Sequence, residues 1–285
     1  MHSERSFFKN GVILLVCFWL GIFVFTPNIL VLITSFLERD AASFVAPRFS
    51  LGAYKTLFDP VFVSIFLASF RISLMVTLIC LVAGYPFAYG IARSPRKWRR
   101  LLLVLVIIPF WTSSLVRTYA LMMLMRANGL INTWLQKLGL IETPFSMLYT
   151  EGAVLFGLVY NLLPFMILPL YAAIEKMDSR LLEAAEDLGA NRFQRFTRVV
   201  LPLTLPGIIA GSILVFLPAM GLFYIPDILG GSRSMLVGNL IRDQFLTARN
   251  WPFGSAASVV LTLIMALMLL AYWRSMKRFN ESIIR

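Results

Sequence analysis

Long apolar runs constrain this chain more than any other feature of its sequence. Runs of about 20 residues, each with few or no charges, recur along its length and are typical of transmembrane helices. Of the 285 residues, 59% are hydrophobic and only 14% are charged. A soluble domain needs a polar surface that this composition does not supply. The sequence therefore predicts an all-α membrane protein.

Six of the apolar runs are predicted to span the membrane. They cover residues 11–34, 64–93, 101–125, 152–174, 207–226 and 253–273. We accordingly divide the chain into a first span with its outer loop over 1–63, a transmembrane core over 64–274 and a tail over 275–285. Prolines inside the runs are tolerated where neighbouring helices or a water-lined path satisfy the freed backbone groups.

The distribution of Lys and Arg predicts the orientation of the spans. One set of connecting segments carries twice as many basic residues as the set on the opposite side; it comprises residues 1–10, 93–100, 175–206 and 274–285. The positive-inside rule places this set, and with it both termini, in the cytoplasm. The net charge of +12 is therefore explained by membrane topology, and nucleic acid is not an expected partner.

The side chains that most enzymes use are scarce in this sequence. There is one histidine, His2, and the two cysteines, Cys17 and Cys80, both lie in apolar runs. The sequence contains no Cys or His cluster with metal-ligand spacing and no phosphate-binding loop. We therefore predict no catalytic residue, no metal site and no cofactor in this chain. Transport against a gradient would then need an ion gradient or another subunit.

A polar segment, residues 183–202, interrupts the apolar pattern with the sequence EAAEDLGANRFQRFTRVVLP. It is predicted to form two short helices. Asp178 or Ser179 can cap the first helix, and Gly189 suits the left-handed position that ends it. Asn191 can begin the second helix, with a glutamine three residues later in a capping-box arrangement.

The two predicted helices of this segment carry opposite charges. Acidic residues share one face of the first helix, and basic residues share a face of the second; they are Glu183, Glu186 and Asp187, and Arg192, Arg195 and Arg198. An amphipathic hairpin resting on the bilayer is one interpretation. The acidic face suits a basic pocket on a partner protein better than it suits an anionic membrane.

The same segment resembles the EAA motif of type I ABC importer permeases. In that pattern E-A-A is followed by three residues, Gly, nine residues, an aliphatic residue, any residue and Leu-Pro. The matching positions are Glu183, Ala184, Ala185, Gly189, Leu201 and Pro202, with Val199 where isoleucine is usual. The resemblance implies a MetI-like transmembrane domain over 64–274. It also implies that 178–202, including Asp187, is the coupling segment that docks on an ATP-binding subunit.

Further segments, over nearly the whole chain, resemble the permease subunits of spermidine/putrescine importers. They are residues 109–119, 163–171, 218–231 and 251–258. The resemblance implies a multi-pass protein of the bacterial inner membrane, surrounded by lipid. Its implied partners are a second homologous permease, a dimer of an ATP-binding subunit that holds ATP and Mg, and an extracytoplasmic polyamine-binding protein.

A path for polyamines needs carboxylates and aromatic faces for the ammonium groups, each cation–π contact contributing roughly 0.5–2 kcal/mol. The end of the fifth predicted span offers Phe223, Tyr224 and Asp227. An acid so close to the membrane is costly and therefore often functional. We predict these three as pathway or gate residues, with Tyr160 as a weaker candidate. Arg242 is the cation that could hold an acidic gate residue when cargo is absent.

Several alternatives remain open from the sequence. The two aromatics could belong to an interfacial belt, and Asp227 could cap a helix or pair with Arg242 or Arg117. Arg71 and Arg117 are expected to snorkel or to hold an acidic partner. A G-x-x-x-G pattern, Gly207 to Gly211, could pack within the subunit or against another permease.

The function has alternatives as well. The sequence leaves spermidine and putrescine undistinguished. The same type of permease could carry an amino acid, a ferric ion or a phosphonate, although an anion would need converging basic residues at the gate. An ion-coupled transporter ranks lower, because the spans lack a deep carboxylate.

Overall fold

A computed structural model describes residues 2–40, 44–178, 180–231 and 234–283. Five of its helices are long and apolar enough to cross a membrane: Asn10–Thr34, Pro60–Arg93, Glu151–Glu175, Arg192–Gly221 and Trp251–Arg274. A helix pair with a 90° bend, Arg96–Trp111 and Ser114–Lys137, gives a sixth span if it is counted as one. The all-α membrane architecture predicted from the sequence is therefore confirmed.

The described residues form thirteen α-helices. They are α1 (His2–Leu20), α2 (Thr26–Thr34), α3 (Gly52–Leu57), α4 (Pro60–Arg93), α5 (Arg96–Ile107), α6 (Ser114–Met125), α7 (Leu130–Lys137), α8 (Glu151–Glu175), α9 (Arg180–Asp187), α10 (Arg192–Arg195), α11 (Leu201–Gly221), α12 (Val237–Leu246) and α13 (Trp251–Ile283). Three π-helical segments, Gly21–Phe25, Phe196–Val200 and Pro226–Gly230, and a 3₁₀ turn, Ile108–Trp111, lie between them. An antiparallel pair, β1 (Leu37–Glu38) and β2 (Ala46–Phe49), forms the one sheet in the described ranges.

The third expected span is not one straight helix. The span expected over 101–125 is a bent helix pair, because α5 ends at Ile107 and α6 begins only at Ser114. Pro109 lies at the start of the 3₁₀ turn, where its missing N–H cannot continue the helical ladder. Thr112 then adopts an extended conformation, with φ −101° and ψ 142°, which turns the chain into α6.

The chain divides into two compact units, and the first comprises Met1–Ser64 and Leu240–Ala266. Ring contacts hold this unit together: Phe62 lies 4.7 Å from Phe253 and Phe44 lies 5.8 Å from Trp251, centroid to centroid. The span Asn10–Thr34 buries none of its most apolar stretch against the described chain. That helix therefore presents its apolar surface to lipid or to another subunit.

The second unit comprises Ile65–Asn239 and Leu267–Arg285, and its centre is the pairing of α8 with α11. A Cβ atom added at Gly207 would lie 2.5 Å from the Cβ of Ala173 and 2.9 Å from the carbonyl oxygen of Pro169. One added at Gly211 would lie 2.7 Å from the sulfur of Met166. The G-x-x-x-G pattern therefore packs within the subunit, where small residues let two helix backbones approach closely.

Candidate functional site

The acidic helix of the polar segment begins as the sequence predicts. The side chain of Asp178 accepts a hydrogen bond from the backbone N–H of Arg180 at 3.0 Å, at the start of α9. The alternative cap, Ser179, lies outside the described residues. A carboxylate at this position satisfies an unpaired N–H and complements the positive end of the helix dipole.

A Schellman turn ends α9. Gly189 has a φ of +78°, a backbone conformation that residues other than glycine rarely adopt. Its N–H donates to Glu186 O at 2.8 Å, and the N–H of Ala190 donates to Ala185 O at 3.0 Å. The glycine and the second alanine of the EAA pattern thus meet in one turn, which reverses the chain.

A capping box begins α10, as the sequence predicts. Asn191 Oδ1 accepts from the backbone N–H of Gln194 at 2.8 Å, and the Gln194 side chain accepts from the N–H of Asn191 at 3.0 Å. The guanidinium of Arg195 then forms an ion pair with Glu186. This pair joins the acidic helix to the basic one, so the two short helices are braced against each other.

The exposed residues of α9 face away from the protein. Glu183, Ala184 and Asp187 are exposed, and Leu188, just beyond the helix, is 88% exposed. A large apolar side chain beside two carboxylates, all accessible, is typical of a surface that a partner covers. The structure therefore places three of the predicted docking residues on one accessible surface of the described chain.

The basic helix continues into a membrane span. Arg192–Gly221 is one helical stretch of 30 residues, in which the π-helical segment Phe196–Val200 joins α10 to α11. Pro202 follows that segment, and its ring lacks the N–H that would bond to the carbonyl four residues earlier. The wider π-helical turn accommodates the proline without ending the helix.

The junction also contacts α4. The hydroxyls of Tyr85 and Thr204 lie 2.9 Å apart, and the rings of Tyr85 and Phe196 meet edge to face with 5.6 Å between centroids. Leu201 and Pro202, the last two residues of the EAA pattern, are half-buried here. The end of the polar segment is therefore in direct contact with α4 of the membrane core.

The far end of α11 breaks before the predicted gate residues. The helix ends at Gly221, and Leu222 is extended, with φ −66° and ψ 122°. The helix of the span expected over 207–226 is therefore broken five residues before its expected end. The cause is Pro226, whose ring would clash with the carbonyl of Leu222 in an unbroken helix. A short turn follows the break, in which the Asp227 N–H donates to Phe223 O at 3.2 Å.

A buried amide fixes the geometry after the break. Asn239 is 4% exposed, and its Nδ2 donates to Phe223 O at 2.8 Å and to Asp227 Oδ1 at 2.7 Å. The ring of Phe223 meets that of Tyr224 edge to face, with 5.9 Å between centroids. The structure thus brings the three predicted gate residues together. Sequence reasoning missed Asn239, although an amide within an apolar stretch was a signal.

A cleft of about 450 Å³ opens in front of this turn. Side chains from the α5–α6 connection, α6, α8 and α11 line it: Phe110, Thr112, Ser113, Ser114, Arg117, Asn161, Leu162, Phe165, Pro218, Leu222 and Tyr224. The hydroxyls of Ser114 and Tyr224 lie 2.7 Å apart across it. The cleft offers hydroxyl and amide oxygens and aromatic rings, but its lining contains no carboxylate.

The remaining predicted residues have separate positions. Tyr160 carries the guanidinium carbon of Arg117 over its ring, 5.8 Å from the centroid. Arg71 donates to both carboxylate oxygens of Glu151 at 2.8 Å, which matches the expectation that it holds an acidic partner. Arg242 belongs to the first compact unit and donates to the neighbouring Asp243.

The described residues contain no group of three side chains that could hold a metal ion. The cleft carries the guanidinium of Arg117 and the oxygen acceptors of neutral side chains. The arrangement can bind and pass a small polar solute. It contains no nucleophile with an adjacent base in the parts described above.

Comparisons with known proteins find a matching family model and similar permeases. The family model described as "Binding-protein-dependent transport system inner membrane component" matches residues 81–285. The chain is 52% identical over 281 residues to the "Spermidine/putrescine transport system permease protein PotB" of Salmonella typhimurium, covering 99% of this chain and 98% of that protein. It is 53% identical over 265 residues to the protein of the same description in Escherichia coli K12, covering 93% and 96%.

A solved structure has a similar fold. It is the crystal structure of a bacterial ABC transporter involved in the import of the acidic polysaccharide alginate, with a TM-score of 0.75 over 96% of both chains. The sequence identity is 18%, so the likeness concerns the fold alone.

Proposed function

The chain belongs to the family of binding-protein-dependent transport system inner membrane components, and on this premise we propose that it is the permease subunit of an ATP-driven importer for spermidine and putrescine. The observation that carries this proposal is identity above 50% to spermidine/putrescine permeases over nearly the whole chain. The permease subunit forms the path across the inner membrane and couples that path to ATP hydrolysis.

Coupling starts at the polar segment, which docks on a separate ATP-binding subunit. The docking residues are Glu183, Ala184, Ala185, Asp187, Gly189, Leu201 and Pro202. The exposed carboxylates suit a basic pocket, and the brace between Glu186 and Arg195 lets α9 and α10 move together. ATP and Mg are bound by that partner, and this chain supplies no catalytic group.

Movement of the docked segment reaches the path through a single helix. Arg192–Gly221 runs from the docking site to the break at Leu222, and α11 packs closely along α8 over much of that length. Closely packed helices transmit displacement because their interfaces do not deform continuously. Rocking of this helix would therefore shift the turn that carries Phe223, Tyr224 and Asp227.

The gate is suited to an ammonium group. Asp227 supplies a negative charge, while the rings of Phe223 and Tyr224 supply faces for cation–π contact, worth roughly 0.5–2 kcal/mol each. Tyr160 and the hydroxyls of the cleft continue the polar surface along α8 and α6.

The complete importer needs three further components. A second, homologous permease completes the path, two copies of the ATP-binding subunit drive it, and an extracytoplasmic binding protein delivers polyamine. Both termini of this chain are assigned to the cytoplasm by the excess of Lys and Arg on that side.

Reconstitution of the complete complex tests the proposal. The complex is placed in proteoliposomes with ATP inside, and uptake is measured for spermidine, putrescine, an amino acid, ferric ion and a phosphonate. We expect uptake of polyamines alone, dependent on the binding protein and on ATP. Transport of another cargo in place of polyamines would overturn the substrate assignment, and uptake without ATP would favour an ion-coupled transporter.

A further inference from the structure

Arg117 lies in the cleft without a carboxylate to hold. Its Nε is buried and has no hydrogen-bond partner in the described structure. Three other arginines of the same unit, Arg71, Arg99 and Arg195, each pair with a carboxylate. Arg117 makes only the cation–π contact with Tyr160 among the side-chain interactions of the described chain.

A polar atom of this kind is costly to bury without a partner. The rest of the Arg117 side chain is half-buried, but its Nε has lost its hydration, and the face of Tyr160 does not replace the missing hydrogen bond. Charged residues within spans are for this reason almost always paired or exposed to a polar cavity. The described residues that line the cleft include no acid, so a carboxylate that pairs with this guanidinium in the cleft would be supplied by another chain.

A second unpaired group lies in the same cleft. Asn161 is 4% exposed; its Nδ2 donates to Gly157 O at 2.9 Å, but its buried Oδ1 accepts no hydrogen bond. Buried acceptors of this kind are costly unless something completes them. The cleft thus presents one unpaired donor and one unpaired acceptor, which suit a carboxylate and an ammonium respectively.

We propose that the second permease subunit projects a carboxylate into this cleft, that this carboxylate holds Arg117 while the path is empty, and that an ammonium group of the cargo displaces Arg117 from it. The inference rests on the proposed function, because that function supplies both the second permease and a cationic cargo. It also explains why a positively charged side chain lies in a path for cations. Arg117 binds the carboxylate when the path is empty, and only a cargo with its own positive charge displaces it.

Charge-altering variants of Arg117 in the complete reconstituted complex test this inference. Loss of the ion pair in Arg117→Gln should raise ATP hydrolysis in the absence of cargo by about threefold or more, because close interfacial charge pairs are strongly coupled. Arg117→Lys keeps the charge and should stay near wild type. Arg71→Gln is the matched control, since Arg71 has its partner within this chain.

A charge swap identifies the partner residue. Arg117→Glu should reduce polyamine uptake by about tenfold or more, since it opposes two acids. Each Asp and Glu in the membrane segments of the second permease is then changed to Arg in that background. We expect one such change to restore uptake to within about threefold of wild type, by re-forming the pair in reverse.

Several results would overturn the inference. One is a rate of cargo-free ATP hydrolysis in Arg117→Gln that equals the wild-type rate. Another is an Arg117→Glu variant that stays inactive whichever acidic residue of the second permease is changed to Arg. A rise in cargo-free hydrolysis when phosphatidylglycerol is omitted from the vesicles of wild type would instead assign the site to a lipid phosphate. If Arg117→Glu fails to co-purify with the complex, the Gln and Lys variants still decide the question. A wild-type complex that transports no polyamine would contradict the proposed function separately, since cargo-free hydrolysis does not depend on cargo identity.

Discussion

The side-chain amide of Asn239 donates a hydrogen bond to Oδ1 of Asp227 over 2.7 Å. The same Nδ2 atom also donates a hydrogen bond to the carbonyl oxygen of Phe223 at 2.8 Å, so one buried side chain joins both ends of the turn after α11. Both partners are acceptors, which fixes the amide orientation. Asn239 therefore holds the carboxylate of Asp227 in place at the turn where the helix α11 has ended.

Replacement of Asn239 should therefore impair transport without removing the carboxylate. We expect Asn239→Ala to lower the initial rate of polyamine uptake about tenfold, because a hydrogen bond to a charged group contributes about 1.5–3 kcal/mol. Uptake into proteoliposomes measures the effect. Asn132→Ala is the matched control: Asn132 is also buried and bonded to backbone, but at Arg126 and Phe145, away from the gate. Equal losses in both variants would contradict a specific role for Asn239.

Loss of the charge at the gate gives a second prediction. Asp227→Asn keeps the size of the side chain and should reduce polyamine uptake about tenfold or more, since charge-assisted hydrogen bonds are roughly twice as strong as neutral ones. Assembly, followed by co-purification of the second permease and the ATP-binding subunit, should be unchanged. Asp59→Asn serves as the control, because Asp59 is exposed and caps the start of α4 through Oδ1, a hydrogen bond that asparagine can keep. Wild-type uptake in Asp227→Asn would remove this residue from the path.

The docking surface yields a third prediction. Glu183 is exposed, and its side chain forms no hydrogen bond or ion pair with the described residues, so Glu183→Ala should leave the stability of the isolated subunit within about 0.5 kcal/mol of wild type. Cargo-stimulated ATP hydrolysis by the complex should nevertheless fall severalfold. Glu142→Ala, which removes an exposed carboxylate from the predicted opposite side, should have no effect. Full stimulation in Glu183→Ala would count against the docking role.

Local chemistry was predictable where it depends on neighbours in the sequence. The Asp178 cap, the left-handed Gly189 and the Asn191 capping box follow from residues a few positions apart, and all are present. The apolar runs likewise identified the membrane spans to within a few residues where no break occurs. These features need no knowledge of the rest of the fold.

The breaks and the tertiary partners were not predictable in the same way. Proline is tolerated within membrane helices when other groups satisfy the backbone. Pro109 and Pro226 therefore indicated that the helices would be distorted, but not by how much. Whether a helix bends, as between α5 and α6, depends on what packs against it. The bonds of Asn239 and the unpaired Nε of Arg117 likewise depend on residues far away in the chain.

The close packing of α8 and α11 supports a final prediction about stability. A methyl group at Gly207 would meet backbone as well as side chain, since Pro169 O lies 2.9 Å from the added atom. Backbone cannot move aside as a flexible side chain can, so Gly207→Ala should cost about 1–3 kcal/mol as an overpacked site. The apparent Tm of the detergent-solubilised complex should fall accordingly.

Gly90→Ala is the control: the added atom meets nothing within 4 Å, and alanine favours a helix, so its Tm should be equal or higher. A wild-type Tm for Gly207→Ala would mean that the two helices are free to separate, and that α11 is not held against α8 as the coupling of the docking segment to the gate requires.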